Sequence, residues 1–243
     1  MTDSIRTQQR KFTDKIIRQT GKTINRFSLI GGGDTVAVGV SGGKDSLTLV
    51  DILSRRRRHL PVSYELRPVC IRIAGVNDGF DSRPLADFCR SRTGNYEEIS
   101  VSCDMTTGKD PCFICSWHRR KALFEFCRTH SITTLALGHT MDDRSETLLM
   151  NLFYQGSISS MPVSLSLFDG GIRIIRPLGD ISEKDINEYS RIRRLPVYKT
   201  ECPHFNGQRR LKVREILSDL ESSHPHVKRS IVSALDNIKT GYL

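Results

Sequence analysis

The chain has 243 residues, 37% of them hydrophobic, enough for one large domain or a domain with appendages. No run approaches the roughly 18 uninterrupted apolar residues of a membrane span, and the polar start, MTDSIRTQQRKFTDK, lacks a signal peptide's apolar core. No membrane partner is expected, and the expected compartment is the cytoplasm. A net charge of +10 and a pI near 9.5 point to a polyanion such as nucleic acid, the alternative being a solvated basic surface.

Phe12, Ile16, Ile17, Ile24 and Phe27 recur at helical spacing, which predicts an amphipathic helix within residues 10–30 that GGGD (31–34) ends. Strands are predicted at 36–40, 67–73, 97–101, 133–137 and 172–176, and helices at 45–57, 82–92, 116–130, 142–154 and 182–193. Crossovers of this length imply right-handed βαβ units, hence an α/β fold with a five-stranded parallel sheet flanked by helices. Two further helices are expected near 208–221 and 225–239. The expected organisation is an N-terminal helix (1–35), a nucleotide-binding domain (36–194) and a C-terminal cysteine loop with helices (195–243) in the same folding unit.

The first strand runs into SGGKDS (41–46), at the carboxyl end where α/β sheets bind ligands. Gly42 and Gly43 permit a sharp turn and close approach to a ligand. Successive amides and the start of the next helix, from Lys44 and Asp45, make an anion-binding concavity, and Ser41 and Ser46 add hydroxyl groups. Asp45 is the odd member, because a carboxylate beside a phosphate needs an intervening Mg²⁺ or a proton. An ordinary Gly-Gly turn is the alternative. The spacing is not that of a Walker loop; SGGKDS instead resembles the signature of the PP-loop ATP pyrophosphatases. That resemblance implies a PP-loop, Rossmann-like domain of the adenine nucleotide alpha hydrolase type. It also implies ATP and Mg²⁺, cleavage between the α and β phosphates, and adenylation of a substrate. ALGHTMDDRSETLLMNLFY (136–154) resembles the second motif of that family, making Gly138 and His139 candidate nucleotide-binding residues. Asp142 and Asp143 are candidate catalytic or Mg²⁺-contacting residues alongside Asp45. The alternatives are a packed strand-end histidine and acids favoured by the positive end of a helix.

Seven cysteines, an odd number in a cytosolic-looking chain, argue for thiol or metal chemistry over a disulfide framework. Cys70, Cys89 and Cys127 fall on apolar faces and read as core. Cys103, Cys112, Cys115 and Cys202 remain. Cys112 and Cys115, in C-x-x-C spacing just before a predicted helix, can share a metal or cluster. A redox dithiol is the alternative, in a context unlike that of thioredoxin. A zinc site would want a second pair, and downstream only Cys202 and His204 are available. Three cysteines suit a [4Fe–4S] cluster with one open iron.

SGGKDS, CFIC, GHTMDD, NLFYQGSISSMP, IRPL and EKDI, in that order across roughly residues 10–235, resemble the tRNA 2-thiocytidine synthetases, the TtcA family. The resemblance implies adenylation of a cytidine in tRNA at position 32 and replacement of its C2 oxygen by sulfur. Ser41, Gly42, Gly43, Asp45 and Ser46 would hold the ATP phosphates, and Cys112, Cys115 and Cys202 the cluster. The implied partners are tRNA and a cysteine desulfurase or other sulfide donor, with room for a homodimer. One departure stands out: Thr200 or Glu201 occupies the place of the first cysteine in a second late C-x-x-C. Arg119, Arg120 and Lys121, directly after the first cysteine pair, and Arg209 and Arg210 on the tail are candidate RNA contacts. Arg55 to Arg58 read equally as an RNA contact or a solvated helix end. Phe113 and Trp117 suit base stacking or packing. Two other functions fit the residues: a PP-loop ligase or amidating enzyme of lysidine synthetase type with structural zinc, and a non-catalytic RNA-binding metal module.

Overall fold

The computed structural model describes residues 3–57, 63–76, 81–103, 111–198, 207–239 and 241. A 24-residue helix α1 (Asp3–Arg26) leads into β1 (Thr35–Val40), α2 (Lys44–Arg57), β2 (Glu65–Ile73), α3 (Arg83–Thr93) and β3 (Glu97–Val101). Then follow α4 (Pro111–Thr129), β4 (Thr134–Ala136), α5 (Met141–Gln155), β5 (Ser164–Leu167), β6 (Ile172–Ile175), α6 (Glu183–Arg193), α7 (Gln208–Ser223) and α8 (Val227–Ala234). The sheet order is β3-β2-β1-β4-β6-β5. All pairings are parallel except β5 with β6.

The sheet therefore has six described strands, not five. The additional one, SLSL, carries too little apolar surface to read as a strand, and its central residues are exposed. The hairpin turn fixes it: Phe168, Asp169 and Gly170 all take positive φ, and Gly171 N–H donates to the Phe168 carbonyl. α4 starts at Pro111, five residues before its predicted start, so Cys112 and Cys115 lie within its first five residues.

The alternation of β1 divides the core. Val36, Val38 and Val40 face a cluster with Ile16 of α1, Leu47 and Ile52 of α2, and Tyr189 of α6. Ala37 faces Leu123 and Phe126 of α4. A Cβ on Gly39 would sit 2.9 Å from a Leu137 methyl, so a side chain there would have to displace Leu137. The chain builds outward through β2 and β3, then returns to place β4 beside β1. This reversal is the switch point at which open parallel sheets bind ligands, beyond the strands' carboxyl ends.

One buried carboxylate ties the first face together. Asp51 of α2, fully buried, pairs with Arg92 of α3 (2.8 Å), Arg193 of α6 (3.1 Å) and Arg55 (3.4 Å), and accepts from Tyr189 Oη (2.9 Å). Arg55 is thus committed inward. Arg56 turns its guanidinium toward Gly21 of α1. Arg58 lies outside the described residues. Among the described residues no helix is long and apolar enough to cross a membrane.

Candidate nucleotide and thiol site

The loop between β1 and α2 folds on its own side chains. Ser41 N–H donates to Ser46 Oγ (3.2 Å), Ser46 Oγ–H to the Gly43 carbonyl (2.9 Å), and Gly43 N–H approaches Ser41 Oγ (3.3 Å). Gly42 takes φ +78°, the left-handed conformation that makes glycine the fitting residue there. Its carbonyl accepts from Tyr198 N–H. A Cβ on Gly138, at the exit of β4, would lie 3.0 Å from backbone atoms of Asp45 and Ser46. The two predicted motifs are therefore in direct contact, and a side chain at Gly138 would push them apart.

Lys44 Nζ donates to Glu183 Oε1 of α6 (2.7 Å) and Asp45 Oδ2 (3.3 Å). Burial opposes its charge, but these carboxylates outweigh it and hold its pKa above the ordinary lysine value. Asp45 is shifted up mainly by burial, with Asp143 and Glu183 adding and Lys44 opposing. Its Oδ1 is buried with no hydrogen-bond partner among the described residues. An orphaned, partly desolvated carboxylate oxygen beside an amide-lined turn is what a Mg²⁺-bound phosphate would complete. The residues present fit a Mg²⁺–nucleotide.

Thr140 caps α5 in a capping box with Asp143: its amide donates to Asp143 Oδ2 (2.8 Å), and its Oγ1 accepts from Asp143 N–H (3.4 Å). Asp143 lines a cleft of about 1500 Å³ together with Ser41, Asp45, Ser46 and His139. Asp142 faces the other way. One oxygen accepts from Glu183 N–H (2.7 Å) and the other from Lys228 Nζ of α8 (2.7 Å), and it does not line the cleft. His139 Nδ1 accepts from Arg176 Nε (3.3 Å). Burial and the Arg176 charge lower its pKa, with Asp143 opposing.

The same cleft reaches α4, where Trp117, Arg119, Arg120 and Lys121 line it. Cys112 and Cys115 are half-buried, and Arg119 Nη2 lies 3.7 Å from Cys115 Sγ. Burial pushes the thiols of Cys70, Cys89 and Cys127 up to about 11, 12 and 11, as inert core cysteines require. The third expected ligand, Cys202, and with it Thr200, Glu201 and His204, lies outside the described residues. The two described thiols suit an iron–sulfur cluster, which thiolates bind. On α7, Arg210 lines the cleft and pairs with buried Glu146 (3.2 Å), whereas Arg209 is exposed and lies over the Tyr154 ring.

Glu183, Glu146 and Arg176 carry geometry that the sequence reading left without a role. EKDI and IRPL contain two of them, and a charged residue directly after a buried strand or opening a helix is the signal that marks them. Lys228 carries no comparable mark, because Asp142, the site partner it reaches, lies 86 residues away in the chain.

The sequence matches the PP-loop domain family over residues 12–219. It is 33% identical to a tRNA-cytidine(32) 2-sulfurtransferase of Francisella tularensis subsp. novicida, covering 94% of this chain and 88% of that protein. It is 36% identical to the tRNA-cytidine(32) 2-sulfurtransferase of Geobacter sulfurreducens, covering 94% and 91%. The fold resembles the U34-tRNA thiolase NcsA of Methanococcus maripaludis, solved with its [4Fe–4S] cluster, with a TM-score of 0.79 and 26% identity over 94% of this chain and 79% of that one. The chain belongs to the PP-loop family, among the tRNA-cytidine(32) 2-sulfurtransferases.

Proposed function

We propose that the protein is an ATP-dependent tRNA sulfurtransferase that adenylates cytidine 32 and replaces its C2 oxygen with sulfur. The observation that carries this reading is that one cleft joins the phosphate loop to the cationic turn following Cys115. ATP chemistry and sulfur chemistry then act on one base without its release.

Ser41, Gly42, Gly43 and Ser46 bind the pyrophosphate portion of ATP, and Asp45 Oδ1 holds Mg²⁺. Lys44, fixed by Glu183, contributes a positive charge to the loop. The C2 oxygen of cytosine attacks the α-phosphorus, and the bond to pyrophosphate breaks. Sulfur then bonds to C2, and AMP departs with the oxygen. Asp143, facing the cleft, is better placed than Asp142 to act on the nucleotide or its metal. A [4Fe–4S] cluster held by Cys112, Cys115 and Cys202 supplies the sulfur-transfer chemistry when bound. Arg119, Arg120, Lys121 and Arg210 meet RNA phosphates at the rim. A cysteine desulfurase or other sulfide donor delivers the sulfur, and a reducing cytoplasm suits a chain with free thiol ligands.

The test is an anaerobic reaction of cluster-loaded protein with ATP, sulfide and tRNA, followed by nucleoside analysis. The expected products are 2-thiocytidine, AMP and pyrophosphate. Asp45→Ala should remove all three while leaving the protein's brown colour. ADP and phosphate, or a new amide-type nucleoside, would overturn the proposal.

A further inference from the structure

Arg176 is the residue whose environment the reaction scheme does not yet explain. It follows the last residue of β6, is only 6% exposed, and lines the cleft. Arg144, the other fully buried arginine among the described residues, pairs with Asp180 (2.9 Å), and half-buried Arg92 and Arg193 share Asp51. Arg176 pairs with no carboxylate among the described residues. It donates through Nε to His139 and through Nη1 to the Pro162 carbonyl. The charge acting on it is another cation, Arg144, and together with burial this lowers its pKa to about 10. A buried guanidinium without a counter-ion is costly, and cleft-lining groups in that condition are candidates for binding an anion.

The register indicates which anion. Val38 aligns with Ala136 and Ala136 with Ile175, so the exits of β1, β4 and β6 stand in a row. Strands about 4.8 Å apart put the strand bearing Arg176 roughly 10 Å across the sheet from the one bearing the phosphate loop, with His139 between them. Pyrophosphate at Asp45 and Ser46 would place the α-phosphate in the same cleft that His139 and Arg176 line.

We propose that Arg176 is a catalytic residue that binds the α-phosphoryl oxygens of the nucleotide, as ATP and then as the adenylate. This rests on the PP-loop assignment of the preceding subsection. As the C2 oxygen bonds to phosphorus and the bond to pyrophosphate breaks, negative charge gathers on the non-bridging oxygens. The planar fork of Arg176 can pair with two of them. His139 Nδ1 accepts from Nε and the Pro162 carbonyl from Nη1, which together fix the guanidinium in the cleft wall.

Calorimetry with AMP, adenosine and ATP, without tRNA or cluster, tests this apart from thiolation. The wild type should bind AMP roughly 10- to 100-fold more tightly than adenosine, as a charge-assisted pair requires. Arg176→Met should lose that preference while keeping its affinity for adenosine, and Arg176→Lys should retain only part of it. If the Met variant fails to fold, the Lys variant carries the test through its reduced preference. An unchanged preference in the folded variants, or none in the wild type, overturns the proposal. So does a tenfold loss of tRNA affinity with AMP binding intact, which would assign the anion to RNA. Normal AMP discrimination without thiolation would sink the function and leave this assignment standing.

Discussion

Asp142 and Asp143 are neighbours in sequence with opposite tasks. The first turn of α5 points one carboxylate at α6 and α8 and the other into the cleft. Both oxygens of Asp142 are used, and burial removes water as a substitute for Lys228. Asp142→Asn should therefore destabilise the fold by about 3 kcal/mol, the lower end of the range for breaking a buried pair. Nucleotide turnover per folded molecule should change little. Asp143→Asn keeps an oxygen for the Thr140 amide, so its melting temperature should stay close to wild type. Its turnover should fall by roughly 10²-fold or more if the charge serves the nucleotide. Thermal melts and pyrophosphate release on both variants check this, and the reverse pattern would reassign the roles. The sequence motif could not separate the two residues, because the partners that hold Asp142 away from the cleft lie 41 and 86 residues from it.

At the scale of elements, α6 links the core to the phosphate loop. Its first turn presents Glu183 to Lys44, and its last turns present Tyr189 and Arg193 to Asp51. Burial alone would raise the pKa of Asp51, but hydrogen bonds and charge from Arg193, with Tyr189 and Arg55, hold it below the usual carboxylate range. A depressed folded pKa contributes stability above the unfolded value, about 3.9, and that contribution is lost as pH falls through the lower folded value. Wild-type stability should decline below about pH 4 with a component that Asp51→Asn lacks. At pH 7 the variant should be about 3–5 kcal/mol less stable, since three arginines lose their carboxylate. Denaturant titrations from pH 3 to pH 7 would show it; parallel pH curves for the two proteins would exclude Asp51 as the source. This network was illegible in the sequence, where Asp51 is an acid within the apolar middle of a helix and Arg55 begins a basic run. The phosphate loop was legible because its chemistry lies in six consecutive residues. β5 was not, since its evidence is a turn and a partner strand.

Across the whole molecule, the net charge of +10 is unevenly used. Arg55 and Arg56 turn inward, whereas Arg119, Arg120, Lys121 and Arg210 line the cleft. Lys15, Arg18 and Lys22 of α1 lie with Arg229 around a smaller cavity of about 540 Å³ and make no ion pair among the described residues. Composition could announce a polyanion but not which cations were free to meet it. tRNA affinity should fall steeply with salt, each phosphate contact adding about −0.7 to −0.9 to the slope of log K against log salt. Reversing Arg119 and Arg120 to glutamate should flatten that slope by roughly one to two units and lower turnover as well, because these residues border the thiol end of the cleft. Reversing Arg55 and Arg56 should act differently, lowering the melting temperature by placing anions beside Asp51 and against α1 while the salt slope of the folded fraction stays unchanged. Filter-binding isotherms at several salt concentrations, paired with melts, separate these outcomes. A salt-independent wild type would leave the cationic cleft without its polyanion, and a slope change in the Arg55 and Arg56 variant would move the RNA path to the opposite face of the sheet.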